Sequence, residues 1–262
     1  MSSYSSCLMV AVLMGWAVWT AEAWRKGWVA SPVRSPAILF VAIGVMGARL
    51  LAVVGEWERY RGQLLSSSGP LAIQGAMIGF LAAAAVYARL RKAPVVEVLD
   101  LSVFALATMI VPIRIGCFSA GCCFGTPTSL PWAIAGTNGR HVHPTQIYEV
   151  VLGVVLVICL RRMRNRGAEA GRMLWTFLLA YGGGRAAIEV FRDDTVPVVW
   201  GVTYPQMVGI AMAVTGAIGG RRWRNRTHNQ RLAPPTLLAG DASVAVDYRG
   251  EESRIGGRIA AR

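Results

Sequence analysis

Long apolar segments recur along the chain, and they constrain its fold more than any other feature of the sequence. A transmembrane α-helix needs about 17 to 25 residues, and these segments are close to that length. Mean hydropathy is +0.45 and only 16% of the residues are charged, which excludes a typical soluble domain. The sequence therefore predicts an all-α, polytopic membrane protein with about seven transmembrane helices, at approximately 6–23, 36–54, 71–88, 97–116, 145–160, 173–190 and 203–219.

Basic residues form four clusters, which follow the first, third, fifth and seventh of these segments. They are Arg25, Lys26 and Arg34; Arg89, Arg91 and Lys92; Arg161, Arg162, Arg164 and Arg166; and Arg221, Arg222, Arg224 and Arg226. Because Lys and Arg are enriched in cytoplasmic loops, this alternation predicts an N-terminus outside and a C-terminus in the cytoplasm. Topology thus accounts for the formal net charge of +13, and we expect no nucleic-acid partner.

The same patterns divide the chain into a membrane domain at 1–220 and a basic tail at 221–262. The tail combines mixed charge, a Pro-Pro pair and scattered glycines without a sustained apolar period, so we predict that it is disordered and cytoplasmic. The outer connections hold fewer basic residues and more polar, aromatic, Gly and Pro residues, at 55–70, 117–144 and 191–202. We therefore expect a functional loop region on the outer face.

The stretch from 114 to 131 differs most from an ordinary connection. Arg114 lies at the outer end of the fourth apolar segment, where a charge is costly and is typically functional. The backbone after it is able to approach a ligand closely, because the stretch contains three glycines, Gly116, Gly121 and Gly125. The same stretch contains three cysteines, Cys117, Cys122 and Cys123.

These cysteines admit several interpretations. Their spacing lacks the paired C-x2-C pattern of structural zinc, and the nearby imidazoles are His141 and His143, so a zinc site is only weakly indicated and our expectation is neither a metal nor a cofactor. A disulfide on the outer face, a nucleophilic thiol and simple packing of small side chains remain open. Cys7 and Cys159 lie in apolar segments and are expected to belong to the core.

Ionisable side chains within the apolar segments predict a buried polar site. Each costs about 2.5 to 3.5 kcal/mol at a helix centre, so these side chains should face the bundle interior and pair or bind a ligand. Arg49 and Asp100 lie near helix ends, where a structural ion pair explains them equally well. In the sixth segment, spacings of four, four and three residues bring four polar side chains onto one helical face: Tyr181, Arg185, Glu189 and Arg192.

The two arginines on this face outnumber its one carboxylate. A buried cation without a counter-ion favours an anionic ligand, and the abundant anion in a membrane is a phospholipid phosphate, which arginine binds bidentately. Three glycines at 182–184 would let a second helix or a lipid head group approach. The structural alternative is an internal Arg–Glu salt bridge.

A second polar group opens the fifth segment. Pro144 and Thr145 suit the first turn and the cap of a helix. Capping does not explain four further polar side chains within two turns, His143, Gln146, Tyr148 and Glu149. We therefore expect this group to line a site at the outer boundary of the membrane.

Taken in order, these motifs resemble those of the prolipoprotein diacylglyceryl transferases, the bacterial enzymes that begin lipoprotein maturation. The similar positions run from residue 4 to about residue 219 and comprise Tyr4, 47–50, 69–75, 99–100, 114–118, 125–132, 143–149, 181–193 and Gln206. Several separate motifs in one order are more specific than any single motif. The resemblance implies a seven-helix fold in the bacterial inner membrane with the N-terminus outside.

In that family, the diacylglyceryl group of phosphatidylglycerol passes to the sulfur of a prolipoprotein lipobox cysteine, and glycerol phosphate is released. The resemblance implies that Arg114 and Arg185 share the phosphate, that His143 lines the outer mouth, and that the partners are phosphatidylglycerol, lipobox signal peptides and membrane lipids. The expected substrate-binding residues are Tyr4, Arg49, Gln74, Gly75, Gly116, Cys117, Gly121, Gly125, Gln146, Tyr148, Glu149, Tyr181, Glu189 and Arg192.

Two departures distinguish this chain from the family pattern. Gln74 stands where the family usually has a histidine proposed to activate the thiol, and glutamine is not a general base at neutral pH. The family signature usually reads Gly-Arg-x-Gly-Asn-Phe with a later acidic residue. Here Ile113 precedes Arg114, Cys117 replaces the Asn, and Cys122 replaces the acid.

Three functions therefore remain open. The first is the transferase, with the catalytic base dispensable or supplied elsewhere, for example by His143. The second is a lipid-binding or transport-like membrane protein that keeps the phosphate cleft without the chemistry. The third is a thiol redox or metal protein that uses Cys117, Cys122 and Cys123. The two arginines and the order of the motifs favour the transferase.

Overall fold

The computed structural model describes residues 2–30, 35–62, 71–136, 139–195 and 197–232. Within these ranges the chain forms eight α-helices, of which seven have at least 18 residues. They are α1 (Ser2–Arg25), α2 (Ala37–Gly55), α3 (Trp57–Tyr60), α4 (Ile73–Leu90), α5 (Val95–Ser119), α6 (Thr145–Asn165), α7 (Arg172–Glu189) and α8 (Tyr204–Leu232). The predicted helical class is confirmed, and each predicted segment overlaps one long helix.

Four of the helices are long and apolar enough to cross a membrane, namely α1 from Tyr4 onward, α2, α4 and α5. The protein is therefore a multi-pass membrane protein. The later helices are less apolar because they carry ionisable side chains: Glu149 lies in α6, and Arg185 and Glu189 lie in α7. Among the described residues, seven long helices overlap the predicted segments and four of them meet the length and hydropathy expected of a membrane span, so the count of seven spans stays a prediction.

Two short hairpins occupy connections for which the sequence analysis predicted only loops. β1 (Ile134–Ala135) pairs antiparallel with β2 (His141–Val142), and β3 (Pro197–Val199) pairs antiparallel with β4 (Val202–Thr203). β2 directly precedes α6, and β4 directly precedes α8. The first hairpin therefore fixes the entry of α6, which carries Gln146 and Glu149, and the second fixes the entry of α8.

Helix α5 lies at the centre of the bundle. It packs against α1, α4, α6 and α7, and about half of its apolar span is buried (56%). A cluster of aromatic rings lies beside it, in which Trp19 contacts Phe40 edge to face with ring centroids 5.1 Å apart. The indole N–H of Trp19 donates a hydrogen bond of 3.1 Å to Ser102 of α5. Arg114, near the end of α5, therefore lies on a helix that is held by four neighbouring helices.

Glycines allow neighbouring helices to cross at close range. A Cβ on Gly75 of α4 would lie 2.3 Å from the carbonyl oxygen of Gly47 in α2, and a Cβ on Gly182 of α7 would lie 2.5 Å from that of Gly209 in α8. Gly184 similarly faces Leu152 of α6. The glycines at 182 and 184 thus admit helices, the first of the two partners predicted for them.

Asp100 has a structural role that was one of its two predicted alternatives. Its carboxylate accepts hydrogen bonds of 2.7 Å from the backbone N–H groups of Gly171 and Leu174. These groups belong to the first turn of α7, whose N–H groups have no partners within the helix. The carboxylate of α5 therefore caps α7, and its partner is backbone rather than an arginine.

The last helix extends farther than the predicted membrane domain. The structure divides after Gly220, the predicted domain boundary, yet α8 continues to Leu232. The prediction that the tail is disordered from 221 onward is wrong for 221–232, because arginine is a good helix former and extends the preceding helix. Residues 233–262 lie outside the described residues.

Candidate active site

The end of α5 turns the chain back toward the site. Gly121 has φ of +66°, a left-handed conformation that glycine adopts without strain. The N–H of Cys122 donates to the carbonyl of Cys117, and that of Gly121 donates to Phe118, both at 3.1 Å. This pair of bonds is a Schellman motif, which satisfies the last carbonyls of the helix. Gly121 therefore shapes the backbone beside Arg114, and the predicted approach of this backbone to a ligand stays a prediction.

The first residues of α6 hold the cysteine-containing turn in place. The amide of Gln146 donates to the carbonyl of Cys122 at 2.5 Å, and the hydroxyl of Thr145 donates to the carbonyl of Cys123 at 2.6 Å. Thr145 is thus not the predicted cap, because Pro144 occupies the N-cap position without a side-chain hydrogen bond. Its hydroxyl joins the two elements instead.

Gly125 lies where three segments of chain meet. Its N–H donates to the carbonyl of His143 at 2.9 Å, and it forms a β-bridge with Arg192. A Cβ at this position would lie 2.4 Å from the carbonyl oxygen of Phe191 and 2.6 Å from Cβ of His143. Only glycine therefore lets the turn after α5 contact the chain that follows α7.

Glu149 of α6 lies at the centre of a buried ionic cluster. Its carboxylate is 2.7 Å from Nη2 of Arg114, 3.4 Å from Nη1 of Arg192 and 3.8 Å from Nε of Arg185. The side chain of Glu149 is 1% exposed, and each arginine side chain is at most 7% exposed. Residues from α5, α6, α7 and the segment after α7 thus meet at one carboxylate.

Glu189 is the second buried carboxylate of the cluster. It pairs with Arg185 one turn earlier in α7, lies 3.7 Å from Nε of Arg192, and accepts a hydrogen bond of 2.9 Å from the hydroxyl of Thr203. The predicted polar face of α7 is therefore formed, and it faces the bundle interior. Thr203 belongs to β4, so the second hairpin contributes to the site.

The cluster contains more buried positive than negative charge. Among the described residues it joins three buried guanidinium groups to two buried carboxylates, and Asp194, which pairs with Arg192 at 2.5 Å, is 42% exposed. Burial opposes the charge of Arg192, but the hydrogen bonds and charge of Asp194 outweigh it and raise the pKa of Arg192 above its ordinary value. The excess of one buried cation predicted for α7 persists when Arg114 and Glu149 are included.

Several buried polar atoms of the cluster have no hydrogen-bond partner among the described residues. They are Nε of Arg114, Nε of Arg185, the hydroxyl of Tyr181, Oε1 of Gln146 and Oε2 of Glu149, the last of which is ion-paired with Arg114 without hydrogen-bond geometry. A buried donor without a partner costs about 1 to 3 kcal/mol. Because the two Nε–H groups and the hydroxyl are donors, the arrangement suits an anionic ligand that accepts several hydrogen bonds.

His143 and Tyr148 belong to an aromatic group beside the ionic cluster. Nδ1 of His143 is 3.1 Å from the hydroxyl of Tyr148, which accepts a hydrogen bond of 2.9 Å from the indole of Trp132. The ring of Phe191 lies 4.8 Å from that of His143. Phe191 directly precedes Arg192, so the two groups adjoin along the chain.

Other predicted substrate-binding residues have packing contacts that account for them without a ligand. The amide of Gln74 donates to the carbonyl of Pro205 at 2.7 Å and joins α4 to α8. Gly75 admits α2, and Gly116 admits α1, because a Cβ there would lie 2.8 Å from Cβ of Cys7 and 3.4 Å from the ring of Tyr4. Arg49 lies half-buried in α2. Their roles toward a substrate stay predictions.

Cys117, another predicted substrate-binding residue, follows Arg114 by three residues in α5 and lies on the same helical face. Its sulfur is 3.9 Å from Nη1 of Arg114. The sequence did not indicate Asp194 or Thr203 as site residues, and it indicated Thr145 only as a helix cap. Asp194 stands two residues after Arg192, and Thr203 directly precedes α8, but short polar side chains in loops and two-residue strands carry no pattern of their own.

Comparison with known proteins gives one consistent result. The prolipoprotein diacylglyceryl transferase family matches residues 1–220. Proteins named phosphatidylglycerol–prolipoprotein diacylglyceryl transferase are similar to this chain. That of Clostridium tetani is 28% identical over 73% of this chain and 80% of its own length, and that of Synechococcus elongatus is 30% identical over 82% and 81%. That of Gloeobacter violaceus is 30% identical over 79% and 82%. The family match includes every element of the site, and the chain belongs to the prolipoprotein diacylglyceryl transferase family.

Proposed function

We propose that this protein transfers the diacylglyceryl group of phosphatidylglycerol to the thiol of a prolipoprotein lipobox cysteine. The products are a thioether and glycerol phosphate. The names of the relatives support the reaction and its two substrates. The observation that carries the proposal in this chain is the buried cluster around Glu149, in which Arg114 and Arg185 each keep an Nε–H without a hydrogen-bond partner among the described residues.

The phosphate of phosphatidylglycerol is the group that gains charge as it leaves. Donors fixed in advance around that charge stabilise the transition state more than the ground state. Arg114 and Arg185 supply two such donors from different helices, and the hydroxyl group of Tyr181 is a third donor. Glu149 and Glu189 hold the guanidinium groups apart and oriented. The Nε–H of Arg114 is thereby available to a phosphate, whereas Nε of Arg185 lies 3.8 Å from Glu149 and would have to turn from that carboxylate toward the phosphate.

The acceptor thiol must lose its proton before or during attack. Gln74 does not supply a base, and its amide is already bonded to Pro205. His143 is the candidate base within the described loops, because a neutral imidazole can accept a proton. Its Nδ1 interacts with Tyr148, which orients the ring and leaves Nε2 for the substrate.

The proposed arrangement in the membrane has seven spans, an outer N-terminus and a cytoplasmic C-terminus. The alternating basic clusters support the orientation. Apolar side chains exposed at helical spacing support lipid contact by the less apolar helices, at Val151, Val154, Val155 and Ile158 of α6 and at Met207, Ile210, Val214 and Ile218 of α8. On this topology the ionic cluster lies near the outer boundary, where lipid head groups and exported substrates meet.

Complementation of a bacterium depleted of its own transferase tests the proposal. The wild-type chain should restore growth, whereas Arg114→Ala and Arg185→Ala should not, because each removes a phosphate donor. Arg161→Ala is the matched control, since Arg161 is an exposed arginine at the other end of α6. Growth restored by both site variants, at equal expression, would contradict the proposed phosphate cleft.

A further inference from the structure

Three thiols lie together beside the ionic cluster. The sulfur atoms of Cys117, Cys122 and Cys123 are all within 4.8 Å of one another. Cys117 ends the buried part of α5, and the Schellman turn at Gly121 brings the other two back toward it. Spacing along the sequence did not predict this convergence, because the turn reverses the chain within four residues.

The distances suit one metal ion held by three sulfurs. Sulfur ligands lie about 2.3 Å from zinc, so three of them around one ion are about 4 Å apart from one another. The sulfurs of Cys122 and Cys123 are 3.6 Å apart, and the upper bound for the set is 4.8 Å. Small rotations of three side chains would therefore complete the geometry.

A disulfide explains the cluster less well. Adjacent Cα atoms are about 3.8 Å apart across a trans peptide, below the range of about 4.4 to 6.8 Å that a disulfide accepts. This excludes an unstrained bond between Cys122 and Cys123. A bond from Cys117 to either of them leaves the third thiol unused, whereas a metal ion uses all three.

The surroundings fix the backbone of the turn and compensate its charge. Cys123 has φ of +64°, an unusual conformation for a residue with a side chain. The bonds from Thr145 and Gln146 to the carbonyls of Cys123 and Cys122 maintain it. Three thiolates and a divalent ion carry one net negative charge, and the guanidinium of Arg114, 3.9 Å from the sulfur of Cys117, offsets that charge.

We propose that Cys117, Cys122 and Cys123 bind one thiophilic divalent metal ion of the zinc class, with a fourth coordination position open to an external thiol. Three protein ligands and one open position are the arrangement of catalytic rather than structural zinc sites. Soft sulfur ligands select zinc and similar ions over magnesium or calcium.

The identity of the external thiol rests on the proposed function. In the proposed transfer reaction, the acceptor cysteine binds the ion as a thiolate, and the proton of its thiol passes to solvent or to a neighbouring base such as His143. Its sulfur then forms a bond to the glycerol carbon of the lipid. The bond from that carbon to the phosphate oxygen breaks, and glycerol phosphate leaves with the electron pair. Metal coordination deprotonates a thiol, which would replace the activation that Gln74 does not supply.

Cadmium titration of the full chain, purified in detergent under reducing conditions, tests the site without any activity measurement. The wild type should bind one ion per chain and develop the ultraviolet charge-transfer absorption of cadmium thiolates. Cys117→Ser, Cys122→Ser and Cys123→Ser should each lose the saturable site. Cys159→Ser is the control, because Cys159 is exposed on α6 and lies outside the cluster.

Absorption that is missing in the wild type, or unchanged in Cys122→Ser, would overturn the metal site. The side chain of Cys122 is exposed, so its serine variant should unfold at the same temperature as the wild type. A disulfide from Cys117, found by mass spectrometry of protein taken unreduced from membranes, would also overturn it.

Cobalt-loaded protein tests the open position. A lipobox peptide should shift the cobalt spectrum, and the same peptide with serine in place of its cysteine should not. Metal binding without this shift overturns the thiol position alone. Metal binding with the shift but no lipid transfer contradicts the proposed function and leaves the site standing.

Discussion

Glu149 holds three guanidinium groups in one buried place. It contacts Arg114, Arg185 and Arg192, which come from different parts of the chain. A buried ion pair adds little net stability, but the loss of one partner leaves an uncompensated buried charge. The main role of the Glu149 carboxylate is therefore to position the three arginines, and its ion pairs add little to the net stability of the fold.

Replacement of this carboxylate should be strongly destabilising. In Glu149→Gln the three arginines lose their shared counter-ion, and we expect the free energy of unfolding to fall by about 3 to 5 kcal/mol. Thermal unfolding in detergent measures the change. Glu58→Gln removes an exposed carboxylate and should unfold like the wild type; equal unfolding temperatures for all three proteins would contradict the role given to Glu149.

The site residues differ in how well the sequence predicts them. Arg185 and Glu189 share a helical face by spacing alone, and the structure pairs them. The contact of Glu149 with Arg114 joins two helices, so no local period encodes it. The three thiols converge because Gly121 adopts a left-handed turn, and the sequence shows the glycine but not the direction in which the chain returns.

At the scale of elements, close helix crossings position the site. Gly182 of α7 faces the backbone of α8 at Gly209 and Ala213, one turn before Arg185. The crossing therefore determines where the polar face of α7 stands relative to β4, whose Thr203 donates a hydrogen bond to Glu189 on that face. The apolar periods predicted every long helix, but which glycines face a neighbour depends on the packing of the whole bundle.

A methyl group at this crossing should separate the two helices. A Cβ at Gly182 would lie 2.5 and 2.6 Å from backbone atoms of α8, so we expect Gly182→Ala to lower stability by about 1 to 3 kcal/mol and to reduce activity. Gly183→Ala is the matched control, because nothing in the described residues lies within 4 Å of its added Cβ. It should be neutral or slightly stabilising. The same loss in both variants would refute the crossing, and unfolding in detergent measures it.

At the scale of the whole molecule, charge and hydropathy predict the topology. The described helices follow the predicted segments, and the tail prediction is wrong for 221–232, where arginines continue α8 to Leu232. Orientation in the membrane depends on the asymmetry of Lys and Arg, which is a property of the sequence and not of the packed bundle. It therefore stays a prediction.

Reporter fusions at the C-terminus measure this orientation. Alkaline phosphatase, which folds only outside the cytoplasm, should be inactive when fused after Arg262, and green fluorescent protein should be fluorescent there. A phosphatase fused to the N-terminus, after a cleaved export signal, should be active. Active phosphatase at the C-terminus would reverse the topology and would place the ionic cluster on the wrong side for exported substrates.

The direct measurement of the central claim is transfer by the purified protein. Phosphatidylglycerol with labelled acyl chains and a lipobox peptide should yield a peptide whose cysteine carries diacylglyceryl in thioether linkage, identified by mass spectrometry. Arg114→Lys keeps the charge but loses the planar fork, and it should slow transfer at least about 100-fold. A wild-type protein that binds phosphatidylglycerol but forms no thioether product, or an Arg114→Lys variant as fast as the wild type, would contradict the account.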